Sequence, residues 1–313
     1  MEAFSGRAQV PGARWRAVAL DRERTVCGYT LLEVLVGIAL VSLVGLAVFG
    51  GYAFATRGWF EHQDRLDTQA ALREAAARLA REVRLAGACL PRPSPLASLR
   101  ALDGADQGEQ DELVVRLNPR CAEAVLVEAA SRGESTLRVD QVDGFEPGTQ
   151  AFLLSTDGDR GEFFRVAEVY AGPAAAIKVD GSIRDAYPRG STVYGAEEYR
   201  YTVDSSGAQP TLVVATAVDP PAPLVVGIER FDVRYVLERL YHPNECTASE
   251  SVGQQQLCVV EVPAHDAQWA IVRAVWIDLR ARSRRPMAGV GGDGFYRVGE
   301  LVKVRPRNLI AGD

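Results

Sequence analysis

Residues 34–56 run for 23 positions without a charged side chain, as VLVGIALVSLVGLAVFGGYAFAT. At a rise of about 1.5 Å per residue, roughly 20 such residues carry a helix across the hydrocarbon core of a bilayer. Arg22 and Arg24 precede the segment and Arg57 follows it. Residues 1–28 hold five arginines against Glu2, Asp21 and Glu23, a net of +2 that leaves −8 on the remainder of a chain whose total is −6. Basic residues on one flank and an acidic bulk on the other fit the positive-inside bias, with the N-terminus cytoplasmic and the rest exported. A cleaved secretory signal could also be apolar, and Ala53-Phe54-Ala55 offers a small-x-small site. The apolar region of a signal is about 7–15 residues, however, and this one is longer. A membrane anchor is the stronger reading of the two.

Neither an anchor nor a signal accounts for Glu33, an ionisable residue at the cytoplasmic edge of the apolar run. A carboxylate there costs up to about 2.5–3.5 kcal/mol if it reaches the membrane centre, less at the edge, and such a residue usually has a partner. The surrounding residues Gly28-Tyr29-Thr30-Leu31-Leu32-Glu33-Val34 resemble the processing site of type IV prepilins and type II secretion pseudopilins. That pattern is a Gly, a cleaved bond, an aromatic residue or Met, and a Glu four positions on that opens an apolar helix. The resemblance implies that a prepilin peptidase cuts between Gly28 and Tyr29 and N-methylates Tyr29. Phe is the usual residue at that position, and Tyr keeps the ring while adding a hydroxyl. It also implies an assembly role for Glu33: in the family, this carboxylate neutralises the terminal amine of the next subunit. Two opposite charges in a low-dielectric medium select one axial stagger, so a costly group becomes a register device.

Beyond Arg57 the sequence turns amphipathic. Leu72, Ala76, Leu79, Val83 and Ala86 recur at steps of three and four, one apolar stripe on a helix, with Arg and Glu on the other faces. Gly87 and then Pro91, Pro93 and Pro95 end it. One helix from Tyr29 to Ala86 would be roughly 85 Å long. Gly37, Gly45, Gly50 and Gly51 lie in its apolar half. They read equally as small residues for close packing in lipid and as points where the helix loosens.

The remainder reads as β structure. Short runs at 113–117 and 124–128 flank Asn118-Pro119, and from residue 136 a series of β-prone segments recurs every 8–12 residues with turn signals between them. This series includes 136–139, 145–149, 151–154, 162–170, 176–179 and 192–194, and suggests a β-module at about 130–196 inserted into a larger sheet. A second set follows at 198–203, 211–214 and 224–229. Strict alternation marks 231–237 and 275–282, and 301–304 is the last expected strand. The segments PLVVGIERFDVRY, VRAVWIDLRARS and VKVRPRNL are similar to the C-terminal region of PilW-type minor pilins, and J-type pseudopilins share much of that pattern.

Of five cysteines, Cys27 falls in the leader, and Cys89, Cys121, Cys246 and Cys258 fall in the exported part. Four cysteines in an oxidising compartment allow three pairings. Cys89–Cys121, tying the helix end to the sheet, and Cys246–Cys258, closing a loop after 231–237, are the favoured ones. No C-x-x-C pair suggests zinc, and His62, His242 and His265 are scattered. Asp157, Asp159 and Glu162 could line a Ca²⁺ site but lack the ligands of a full loop, so a solvated turn is expected. The basic run 280–285 reads as a solvated strand end. The acidic balance argues against nucleic-acid binding.

The expected fold class is α+β, type IV pilin-like: a long N-terminal α-helix, transmembrane in its first half, packed on an antiparallel β-rich domain. The divisions are a leader at 1–28, a transmembrane helix at 29–56, an amphipathic half at 57–87 and a β-rich domain at 88–313. The expected role is structural and not enzymatic. It is that of a minor pilin priming assembly at or near a pilus tip, without cofactor, metal or small-molecule substrate. Partners are the prepilin peptidase, other minor and major pilins, the inner-membrane assembly machinery and the membrane itself. The expected location is the inner membrane and then the pilus. A J-type pseudopilin and a membrane-anchored periplasmic enzyme or adhesive domain are the alternatives.

Overall fold

The computed structural model describes residues 30–90, 99–102, 111–237, 246, 248–252, 255–261, 263, 272–287 and 289–308. Among them the secondary structure is one helix, α1 (Leu31–Leu85), followed by sixteen strands, all in antiparallel sheets. The chain divides into two compact units, residues 1–57 and 58–313.

The first unit holds the apolar half of α1. Its 18-residue most apolar window buries nothing, and Leu40, Leu43, Leu46 and Phe49 are all more than half exposed. Apolar surface on that scale is unstable in water and stable in lipid. This is a helix long and apolar enough to cross a membrane. The four glycines here do not interrupt it, and a Cβ added at Gly37, Gly45, Gly50 or Gly51 would meet nothing within 4 Å.

In the second unit the same helix buries one stripe. Leu72, Ala75, Ala76, Leu79, Ala80 and Val83 face inward, as the steps of three and four require. They pack on two five-stranded sheets that share a single core. The first has the order β1-β2-β9-β10-β11, from β1 (Leu99–Leu102), β2 (Glu112–Leu117), β9 (Glu197–Asp204), β10 (Thr211–Thr216) and β11 (Ala222–Val226). The second has the order β13-β14-β12-β15-β16, from β12 (Ile228–Leu237), β13 (Ala248–Val252), β14 (Gln255–Val260), β15 (Val272–Arg282) and β16 (Arg297–Val304). Alternation places Phe231, Val233 and Tyr235 of β12 opposite Leu279, Ile277 and Val275 of β15, all inside. Gly227, at φ +95°, separates β11 from β12, so the expected strand at 224–229 is broken in two. At that dihedral a Cβ would strain the backbone.

Between the adjacent strands β2 and β9 the chain makes a six-stranded sheet of its own, β3-β8-β5-β6-β7-β4. It is built from β3 (Glu123–Val125), β4 (Thr136–Arg138), β5 (Gln150–Leu154), β6 (Gly161–Tyr170), β7 (Ala176–Val179) and β8 (Thr192–Tyr194), around a separate core. This sheet runs from Glu123 to Tyr194, where the sequence suggests a β-module at about 130–196. β3 is three residues long and gains its identity by pairing with β8. The expected strand at 145–149 is a turn, closed by Thr149 N–H donating to Glu146 O (3.2 Å), with Gly148 at φ +85°. Leu90, Phe152, Tyr194 and Ala196 form a small third cluster where the module meets the helix exit.

Candidate functional site

Glu33 sits in the first turn of α1 and closes a reciprocal cap with Thr30. The Thr30 backbone N–H donates to Glu33 Oε2 (3.0 Å), the Thr30 hydroxyl donates to the same oxygen (3.2 Å), and the Glu33 N–H donates to Thr30 Oγ1 (3.3 Å). This is the Thr-x-x-Glu capping box, in which two orphan donors of a helix start are satisfied by side chains. A negative charge here also complements the helix dipole. The carboxylate is thus partly compensated within its own chain, and Oε1 has no hydrogen-bond partner among the described residues. The Thr-x-x-Glu spacing was available in the sequence and the composition of the apolar run hid it. Gly28 and Tyr29, the expected processing residues, lie outside the described residues.

Four of the five cysteines come together in two pairs, Cys89–Cys121 with Cα atoms 5.0 Å apart and Cys246–Cys258 at 5.3 Å. Both distances fall in the usual disulfide range. The first pair joins the turn after α1 to the loop between β2 and β3. Cys89 and Cys121 both have positive φ, rare for a residue with a Cβ. Asn118, fully buried, holds this junction: its N–H donates to Ala88 O (2.8 Å), its side-chain amide donates to Ala122 O (2.9 Å) and Cys89 O (3.4 Å), and its Oδ1 accepts from Ala122 N–H (3.0 Å). Gly195 lies against the same loop, where a Cβ would stand 2.8 Å from that of Ala122. Arg307 N–H donates to Arg84 O (3.2 Å) and the Asn308 amide to Leu85 O (3.4 Å), so the last carbonyls of α1 are met by the C-terminal segment, while Gly87 N–H, just past the helix, donates to Arg116 O of β2 (2.8 Å).

Where the module docks, Glu198 is buried between Arg116 (2.6 Å) and Arg200 (2.7 Å). Its N–H donates to Gln150 Oε1 of the module (3.4 Å), and the Arg116 guanidinium lies 6.0 Å from the Phe163 ring centre. A carboxylate this deep is tolerable because two guanidinium groups satisfy it.

The remaining sequence candidates are dispersed. Asp157 and Asp159 both pair with Arg160, and Glu162 accepts from the backbone N–H groups of Arg184 (2.9 Å) and Asp185 (3.3 Å), so the three carboxylates do not converge. Among the described residues no group of three or more His, Cys, Asp or Glu side chains could hold a metal ion. His62 is exposed on α1, and His242 and His265 lie outside the described residues. No family model matches this chain, and no curated protein matches it.

Proposed function

We propose that the protein is a single-pass inner-membrane subunit of the type IV pilin kind, acting as a minor pilin that primes assembly at or near the tip of a pilus. The observation that carries the reading is the position of Glu33. A carboxylate opens a 55-residue helix whose following 20 or more residues are apolar and bury nothing, and whose second half buries a stripe on antiparallel sheets. A plain anchor has no use for an acid in that place. One oxygen of Glu33 is engaged by Thr30 and the other is free among the described residues to meet a cation from another chain. Cleavage before Tyr29 would create such a cation, a terminal amine near pH 7.

In this role the membrane stores the subunit by its apolar half, and the filament later receives the same surface. The disulfide and Asn118 fix the β-rich body to the helix, so that a pull on one moves the other. The inserted module and the length of the chain favour a pilus subunit over a secretion pseudopilin. The test is Glu33→Ala in a piliated host. The variant should insert and fold as the parent does but be recovered in sheared filaments at roughly a tenth of the parental level or less, which corresponds to about 1.4 kcal/mol of lost pairing. Parental incorporation would contradict the assembly role of Glu33.

A further inference from the structure

The basic run at the end of β15 belongs to a hairpin whose position along the helix can be read from both ends of β16. Arg282 pairs with Arg297 in register, so residues 283–296 form the hairpin end. There Tyr296 accepts a hydrogen bond from the Gln69 amide (3.2 Å), and the Arg65 guanidinium lies 5.5 Å from its ring centre. After β16, Arg307 and Asn308 reach the carbonyls of Arg84 and Leu85. Strand and helix therefore run in the same direction, and the hairpin end lies at the pole of the second unit where residue 58 begins it. The module docks at the opposite pole, beside Leu90.

This pole has a distinctive set of side chains. Trp59 and Phe60 are 68% and 58% exposed. Arg284 and Arg285 are exposed and form no ion pair among the described residues. The hairpin's other cations are engaged: Arg282 stacks on Phe295 (4.7 Å) and bonds Ala208 O (3.4 Å), and Arg297 is held by Glu229 and Asp293 (2.6 Å each). The acids of the neighbourhood besides those two include Asp204, which accepts from Ser206 N–H (2.9 Å), and on the helix Glu61, Asp64 and Asp67, the last accepting from the Gln63 amide (2.9 Å). The uncharged stretch ends at residue 56, so the chain leaves the hydrocarbon core just before Trp59. Trp is the residue type enriched at a membrane–water interface.

We propose that this pole is a lipid-contacting surface: Trp59 and Phe60 lie at the acyl–headgroup boundary, and Arg284 and Arg285 bind the phosphates of anionic phospholipids. The occupant is a bilayer surface and not a nucleic acid, because two unpaired cations on a chain of net charge −6 displace too few counterions to hold a duplex. They suffice for a domain tethered to a membrane span, because a tether raises the local concentration of headgroups and each basic residue at the surface adds about 1 kcal/mol. The inference rests on the apolar half crossing the bilayer and not on filament assembly.

The test uses the full chain with Cys27→Ser, to remove the leader thiol, and Gly291→Cys as a fluorophore site. A Cβ at Gly291 meets nothing within 4 Å, so the substitution is tolerated. The protein is placed in vesicles of phosphatidylcholine, alone or with about 30 mol % phosphatidylglycerol, containing a headgroup-nitroxide quencher lipid. The expected result is quenching about twofold or more stronger with phosphatidylglycerol at about 0.1 M salt, the difference closing at about 1 M as the Debye length falls from about 10 to 3 Å. Arg284→Glu with Arg285→Glu should abolish the difference, and the milder Gln pair should halve it, with unchanged thermal unfolding. A fluorophore at Arg132→Cys, in the module, should show no lipid dependence. Quenching at 291 that ignores phosphatidylglycerol, salt and both variants overturns the inference, as does arginine-dependent binding of a short DNA duplex in place of the lipid effect. Flotation of the same samples separates the two failures, because a chain that does not float with vesicles defeats the membrane span itself.

Discussion

Asn118 does more for this fold than its polarity suggests. Its side chain accepts from the Ala122 N–H and reaches the carbonyl of Cys89, so its removal leaves that buried N–H without a partner, while Ala122 O keeps the Gly195 N–H (2.9 Å). Such groups cost about 1–3 kcal/mol each when orphaned. Asn118→Ala should therefore lower the stability of the β-rich unit by about 1–3 kcal/mol in urea unfolding, whereas a change near zero would mean that water replaces the amide. Glu82 gives a pH-dependent counterpart. Burial raises its carboxyl above the ordinary value of 4.5, with Arg78 and Arg81 opposing and Glu197 adding to the shift. The folded protein then binds this proton more tightly than the unfolded chain does. Glu82 therefore costs stability at neutral pH, and the cost disappears as pH falls through the folded value toward 4.5. Glu82→Gln should raise the melting temperature at pH 7 and have no effect near pH 4; the reverse order would show that the arginines dominate. At this scale the sequence was only partly legible. Glu33 stood out by its cost, and the Thr30 that compensates it did not, because a capping box is a pairwise feature. Asn118 looked like a turn residue before Pro119, and nothing local told of its hydrogen bonds to Ala88, Cys89 and Ala122.

At the scale of elements, α1 has two halves that the same substitution should separate. Leu79 is fully buried and Leu46 is 76% exposed. In detergent or vesicles, Leu79→Ala should destabilise the β-rich unit by about 2–5 kcal/mol, and Leu46→Ala should leave it unchanged. Equal effects would show that the apolar half also supports that unit. The stripe from Leu72 to Ala86 was readable because a helix buries every third or fourth residue, and all five of its positions are buried. β12 and β15 were readable for the analogous reason, since apolar residues alternate over 231–237 and 275–282 within strands of ten and eleven residues. β1, β13 and β14 were not read. β1 and β13 are four- and five-residue edge strands, LRAL and ASESV, whose conformation is set by the neighbouring strand and not by their own pattern. The turn at 146–149 was read as strand because Phe145 and Thr149 are β-prone, although Pro147-Gly148 breaks the ladder.

The whole molecule combines a half-helix apolar enough for lipid, a disulfide-tied β-rich body and one acid in the first turn of that helix. The two cysteine pairs fit an oxidising compartment, and the uncharged span fits a single crossing. Neither would distinguish a pilus subunit from an anchored domain; the bond between residues 28 and 29 does. The direct measurement is the intact mass and N-terminal peptide of the protein purified from a host that carries a prepilin peptidase. A mature chain that has lost its first 28 residues and begins at a mono-methylated Tyr29 is the expected result. A chain that still begins at Met1, or one that begins after Ala55 as a signal-peptidase product would, contradicts the account.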